Sequence, residues 1–412
     1  MLLQSLLILL NFTSRTHVNE ESLFRLNCLN YLFPFRIIRE LKMKEGVTVE
    51  KFRELFETRD SVAGEWKKTG KKVVGCVSTY TPEEIIYAAE ALPVEVIGKA
   101  ETFSKADAYL PSFACSFMRG FLEVLLEERY GYLDLLTLPS LGDSLRGFYG
   151  IWKQISDKPY AYLLHYPTNR SEEASEYFAE EIERFKNFME DFVGKNISEK
   201  DLRNAIDVYN ENRRLLKKLY WLRRKESPPI SGVEALEVVL SSMTTPKDLH
   251  NQLLEKLLGE ITEREDYPEG GVRLLVSGHI VDDPDVLKVI EDSGGIIVSD
   301  DLDSGSRYFW NLVDSEAKPV EGISRRYTRI PSPYGSPIKD RINYLKTMVK
   351  AFQVEGIVFL TRKFCEPYLF DYVTLGRTVK EEGIPSLYLE YEYPLAKGAL
   401  KTRVEAFVEM LR

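Results

Sequence analysis

Cysteine and histidine are both scarce. The 412-residue chain has four of each. Cys28, Cys76, Cys115 and Cys365 lie far apart, and no two form a C-x-x-C pair. A zinc site read from one segment is therefore excluded, and so is a disulfide framework, which a chain of this length does not need. Dispersed single cysteines suit a reducing cytoplasm. His17, His165, His250 and His279 show no paired metal-ligand spacing and read mostly as surface or capping residues. Positive charge is also in short supply. The chain has 64 acidic against 55 basic residues and a net charge of −9. That excludes a broad basic face for nucleic acid, but not a small basic pocket for a phosphorylated ligand. The sequence has no G-x-G-x-x-G, no G-x-x-x-x-G-K-[ST] and no serine-hydrolase elbow, so dehydrogenase, hydrolase and zinc-enzyme readings have no anchor.

Long hydrophobic runs are missing as well. The run within MLLQSLLILLNF is too short to span a bilayer. It has neither the basic n-region nor the small-residue cleavage site of a signal peptide. Met43 opens MKEGVTVEKFRELFE, which reads as an ordinary protein start. Residues 1–42 are therefore expected to be an N-terminal extension outside the fold. An amphipathic, membrane-attaching segment is the rival reading. Cys28 falls in this stretch and is set aside.

A chain with 44% hydrophobic and 29% charged residues is globular, and its length calls for more than one core. Residues 47–69 read as helical. The β-branched run KKVVGCVSTY (71–80) is followed at once by TPEEIIYAAEAL (81–92), with Thr81, Pro82, Glu83 and Glu84 suited to a helix start. PVEVIG (93–98) is a second strand, which makes a strand–helix–strand unit with a tight first turn. A helix over 114–130 leads to the strand DLLTLP (134–139) and then to SLGDSLRGFYGIW, a loop or helix. Residues 171–225 have helical apolar spacing with dense charge opposite, Ser198 caps a helix, and helix continues to about residue 262. The α/β alternation then returns: strands at 272–278, 295–301, 356–361 and 384–394 alternate with helices at 283–294, 337–353 and 370–382, and a helix at 397–411 closes the chain. The expectation is an α/β protein with two parallel-sheet lobes joined by a helical region. The divisions are 43–165, 166–265 and 266–412.

Open α/β sheets bind ligands at the carboxyl ends of their strands. Cys76, Cys115 and Cys365 all fall near such ends, although free cysteines are often only small buried hydrophobes.

Several stretches, taken in order and spacing, resemble the 2-hydroxyacyl-CoA dehydratase and benzoyl-CoA reductase subunit family. They are VVGCVSTYTPEEIIYAAEALPVEVIG, ADAYLPSFACSFMRG, YNENRRLLKKLYWLR, RLLVSG, DDLDSGSR, FLTRKFCEP, GIPSLYLEYEY and TRVEAFVEML. The resemblance runs from about residue 48 to the end. It implies two flavodoxin-like or Rossmann-like lobes with a [4Fe–4S] cluster on three thiolates between them, soft donors suited to iron–sulfur chemistry. It also implies an acyl-CoA substrate, one-electron (ketyl radical) chemistry, a sibling subunit or a second copy as partner, and an ATP-dependent activator protein. Cys115 matches the first ligand position and Cys365 the third. The second, in a Cys-Asp pair, reads Gly142-Asp143 here. Asp143, Ser144 or Cys76 is then the expected substitute if a cluster binds. The alternative is a cluster-free acyl-CoA-binding or scaffolding partner subunit. Glu84 matches a recurrent acidic position as acid or base, or complements the helix dipole. Ser78 and Tyr80 line the same turn as candidate substrate contacts. Arg307 is a candidate for a CoA phosphate, or a surface salt bridge.

Overall fold

A computed structural model describes residues 47–156, 158–262, 264 and 270–412. The N-terminal extension and Cys28 lie outside the described residues. Two four-stranded parallel sheets organise the rest. The first comprises β1 (Val73–Cys76), β2 (Leu92–Glu95), β3 (Leu135–Pro139) and β4 (Tyr160–Leu164), in the order β2-β1-β3-β4. The second comprises β5 (Val272–Gly278), β6 (Gly295–Asp301), β7 (Gly356–Arg362) and β8 (Ser386–Tyr391), in the matching order β6-β5-β7-β8. Every pairing is parallel. The central strands VVGC and GIVFLTR are buried at every position, as expected of parallel strands covered by helices on both faces. The chain is therefore an α/β fold with two lobes of the same strand order.

The elements follow local chemistry. Ser198 and Asp201 form a reciprocal capping box at the start of helix Glu199–Leu222, and Ser231 and Glu234 do the same for helix Gly232–Ser242. Gly278 ends β5 where a Cβ would lie 2.0 Å from the Leu360 carbonyl oxygen, so only glycine admits the neighbouring strand there. The 171–225 region is two helices, Glu172–Val193 and Glu199–Leu222, broken at Gly194, whose φ is +72°. Among the described residues, one apolar core fills the first lobe and extends to Val313, Ile323, Tyr327 and Cys365, and another packs Leu345, Met348 and Phe352 against β5–β7.

Some elements have no counterpart in the sequence pattern, among them a strand and a helix of the first lobe. Strand β4, YAYLL, is an edge strand with an exposed Tyr160 and no β-branched residue. Helix Pro319–Thr328 carries arginines at 325 and 326 in its last turn and covers the first lobe from a distant part of the chain. No helix among the described residues is long and apolar enough to cross a membrane.

Candidate functional site

The carboxyl ends of the two central strands of each sheet meet in one cleft of about 310 Å³. After β1 come Val77 and Ser78; after β3 come Leu141, Gly142 and Asp143; after β5 comes His279; after β7 comes Cys365. Each sheet reverses its strand order between these central strands, the point where doubly wound sheets open a crevice.

Cys115 and Cys365 both face this cleft, from different lobes. Cys115 is the N-cap of helix Ser116–Leu126, and Cys365 is the N-cap of helix Glu366–Glu381. The backbone N–H of Ser116 donates to the Lys363 carbonyl at 2.9 Å, tying the two loops together beside the thiols. Phe364 makes the turn after β7 with a φ of +60°. The Cys365 thiol donates to the Cys115 sulfur. That bond, the backbone amides of Met118 and Phe117, and the positive charge of Arg362 bring Cys115 down to about 7 against the opposing effect of burial. Cys365 is pushed well up, because its proton is held in that bond and because it is buried.

The third wall position is Gly142, at φ +127° and ψ 177°. A Cβ there would meet nothing within 4 Å, so the backbone, not space, is what requires glycine. Asp143 also lines the cleft, but its side chain is 92% exposed and pairs with Arg146 at 2.8 Å. Cys76 is buried within β1, outside the cleft lining; burial and the nearby Glu83 and Glu95 push its thiol well up, so it stays protonated. No group of three His, Cys, Asp or Glu side chains among the described residues is placed to hold a metal ion. The donors in place are two thiols, which do not fit a cluster that needs three thiolates.

Ser78 is held at φ +92°, a costly conformation for a residue with a side chain. Its N–H donates to Glu95 Oε1 at 2.8 Å, while its buried Oγ has no partner. Burial keeps that Glu95 carboxyl well above the usual range. Tyr80 and Glu84 turn away from the cleft lining. Tyr80 is fully buried and donates to Asp303 Oδ1 at 3.2 Å. Glu84 accepts from Arg213 at 2.6 Å and from Tyr327 at 2.8 Å. Burial would raise its carboxyl, but the charges of Arg213 and Arg326 outweigh that and hold it below the usual range.

Arg307 is neither at the surface nor open to a phosphate. It is fully buried and bonds Asp301 Oδ1 at 2.7 Å and Asp303 Oδ1 at 3.0 Å. The expectation of surface or capping histidines also fails at two positions. His250 is buried between Asn212, Ser241 and the Val238 carbonyl. His279 is buried in the cleft wall. The sequence signal for His279 was its place directly after the strand RLLVSG.

The 2-hydroxyglutaryl-CoA dehydratase D-component family model matches residues 78–411. The β subunit of (R)-phenyllactyl-CoA dehydratase from Clostridium sporogenes is 29% identical over 364 residues, covering 87% of this chain and 97% of that one. A benzoyl-CoA reductase subunit from Thauera aromatica is 28% identical, over 84% of this chain and 92% of its own. The β subunit of lactoyl-CoA dehydratase from Anaerotignum propionicum is 31% identical, over 84% and 93%. With its twin parallel lobes, its paired thiols in one cleft and a match over most of its length, the chain belongs to the 2-hydroxyglutaryl-CoA dehydratase D-component family.

Proposed function

We propose that this chain is the acyl-CoA-binding partner subunit of a 2-hydroxyacyl-CoA dehydratase- or benzoyl-CoA reductase-type complex. It works beside a sibling subunit and does not carry a three-thiolate cluster of its own. One observation supports this above the rest: the cleft keeps two family cysteine positions facing each other and has glycine at the third. The family relationship supports a CoA thioester as ligand, since the relatives are named for such substrates.

In this reading the cleft holds the acyl end of the thioester. Its apolar wall, from Leu141, Leu145, Met118 and Pro367, excludes water from the acyl chain. The unpartnered Ser78 hydroxyl supplies a hydrogen bond to the acyl group, and the Cys365 thiol, pushed well up, keeps its own proton. Glu84 and Tyr80 act from behind by fixing the β1 turn through their buried partners. A [4Fe–4S] cluster, where a relative holds one, supplies single electrons; no step is assigned to one on this chain.

A second reading keeps a cluster here with Ser78 Oγ as the third donor. It is favoured by that oxygen being buried and without a partner. It is the weaker fit, because an alkoxide is a hard donor and iron–sulfur clusters favour soft thiolates. Calorimetric titration of the full chain with lactoyl-CoA and with free CoA tests the proposal. Tighter binding of the acyl form, weakened by replacing Met118 with a bulkier tryptophan, is expected. Equal affinity for both, or no binding, refutes it.

A further inference from the structure

His279 stands out among the buried polar groups of the cleft because the protein gives it so little to do. It is 8% exposed and lines the cleft with Ser78, Cys115 and Cys365. Its ring is clamped edge-on between Phe117, with centroids 5.1 Å apart, and Tyr368, at 4.9 Å. That fixes the plane of the imidazole without using either nitrogen. Nδ1 has no hydrogen-bond partner among the described residues. Nε2 lies 4.0 Å from Asp303 Oδ2, beyond hydrogen-bond reach. Asp303 is itself occupied by Arg307, Tyr80 and Tyr368.

The contrast with His250 is informative. That histidine is equally buried, but both its nitrogens have protein partners. A purely structural imidazole is satisfied in this way. His279 is not, and it sits where a ligand enters. Burial brings it down to about 4, so the ring is neutral near pH 7 and carries one N–H donor and one acceptor.

The neighbouring chemistry narrows the ligand. The polar groups lining this end of the cleft are the Ser78 and Tyr334 hydroxyls, the Cys115 and Cys365 thiols and the His279 imidazole. Charged groups sit at the rim, where Asp143 is 92% and Arg146 53% exposed. Neutral donors and apolar walls suit an uncharged oxygen, not a phosphate. Resting on the proposed acyl-CoA-binding function, we infer that His279 is a substrate-contacting residue whose imidazole N–H donates to the carbonyl oxygen of the acyl thioester. A rigid donor aimed at that oxygen holds negative charge developing there in any reaction at the neighbouring carbons. A neutral imidazole is suited to the task because it polarises without surrendering a full proton.

The test is infrared spectroscopy of lactoyl-CoA, 13C-labelled at the thioester carbonyl, bound to the full chain. The labelled stretch should move to lower wavenumber than in water-excluded solvent. The shift should be lost in His279→Leu and partly kept in His279→Gln, which retains an N–H. Lactoyl-CoA affinity, measured in parallel, should fall several-fold in His279→Leu and less in His279→Gln. An unshifted carbonyl in the bound wild type overturns the assignment while leaving acyl-CoA binding intact. So does a shift that survives in His279→Leu. Absence of binding to the wild type overturns the proposed function and this assignment with it. If His279→Leu does not fold, the wild-type stretch and His279→Gln still decide.

Discussion

Restoring a cysteine at position 142 separates two properties of that site, its backbone and its donor count. Gly142 adopts φ +127° and ψ 177°, a region used almost solely by glycine. A side chain there costs roughly 1–3 kcal/mol. No atom lies within 4 Å of an added Cβ, so no packing clash adds to this. Removing glycine also stiffens the unfolded chain, which returns about 0.4–1 kcal/mol. The net expectation is a loss centred on about 1.3 kcal/mol, and it is the same for Gly142→Ala as for Gly142→Cys because the cause is backbone alone. Urea unfolding of the two variants beside the wild type checks it. Anaerobic reconstitution with iron and sulfide gives the second arm: Gly142→Cys, with a third thiol on the cleft wall, should retain more iron than wild type, whereas Gly142→Ala should not. A neutral Gly142→Ala refutes the backbone argument. Iron content unchanged in Gly142→Cys refutes the claim that a missing thiol is what distinguishes this cleft.

Other outcomes follow from the buried charges. Glu84→Gln leaves Arg213 buried without its carboxylate and should destabilise by about 3–5 kcal/mol in urea unfolding, whereas the double variant Glu84→Gln/Arg213→Met should recover part of the loss; an unchanged single variant would show that the ion pair is not structural. His250 is held down to about 3 by burial and the neighbouring Lys247. The unfolded chain therefore takes up this proton first as pH falls, and stability drops between about 6.5 and 3, by on the order of 2–4 kcal/mol. His250→Gln should flatten that slope in denaturation followed against pH. Glu95 has the opposite shift, raised by burial. Its proton is released first by the unfolded chain, so stability declines as pH rises above the ordinary carboxyl range, and Glu95→Gln should remove that decline.

The layout of the lobes was legible because parallel strands such as GIVFLT and RLLVSG are short, apolar and set between strong helix signals. Strand β4 was not, since an edge strand of alternating tyrosines with one open face lacks that signature. At the site, the carboxyl-end rule led to Cys115 and Cys365. The resemblance offered Asp143, Ser144 or Cys76 as substitute donors; Ser144 lines the cleft, but Cys76 lies inside its own sheet and Asp143 points to solvent. Glu84 looked available at the start of its helix because its partners, Arg213 and Tyr327, are 129 and 243 residues away. The strained turn at Ser78 and the unpartnered ring of His279 are likewise products of tertiary packing, which no pattern within a short window encodes.

Iron and acid-labile sulfide per chain, measured with electron paramagnetic resonance after anaerobic reconstitution of the wild-type protein, address the central claim most directly. Two thiols without a third predict less than about one iron per chain and no cluster signal. About four irons per chain, with a reducible cluster signal lost in Cys115→Ser, would contradict it.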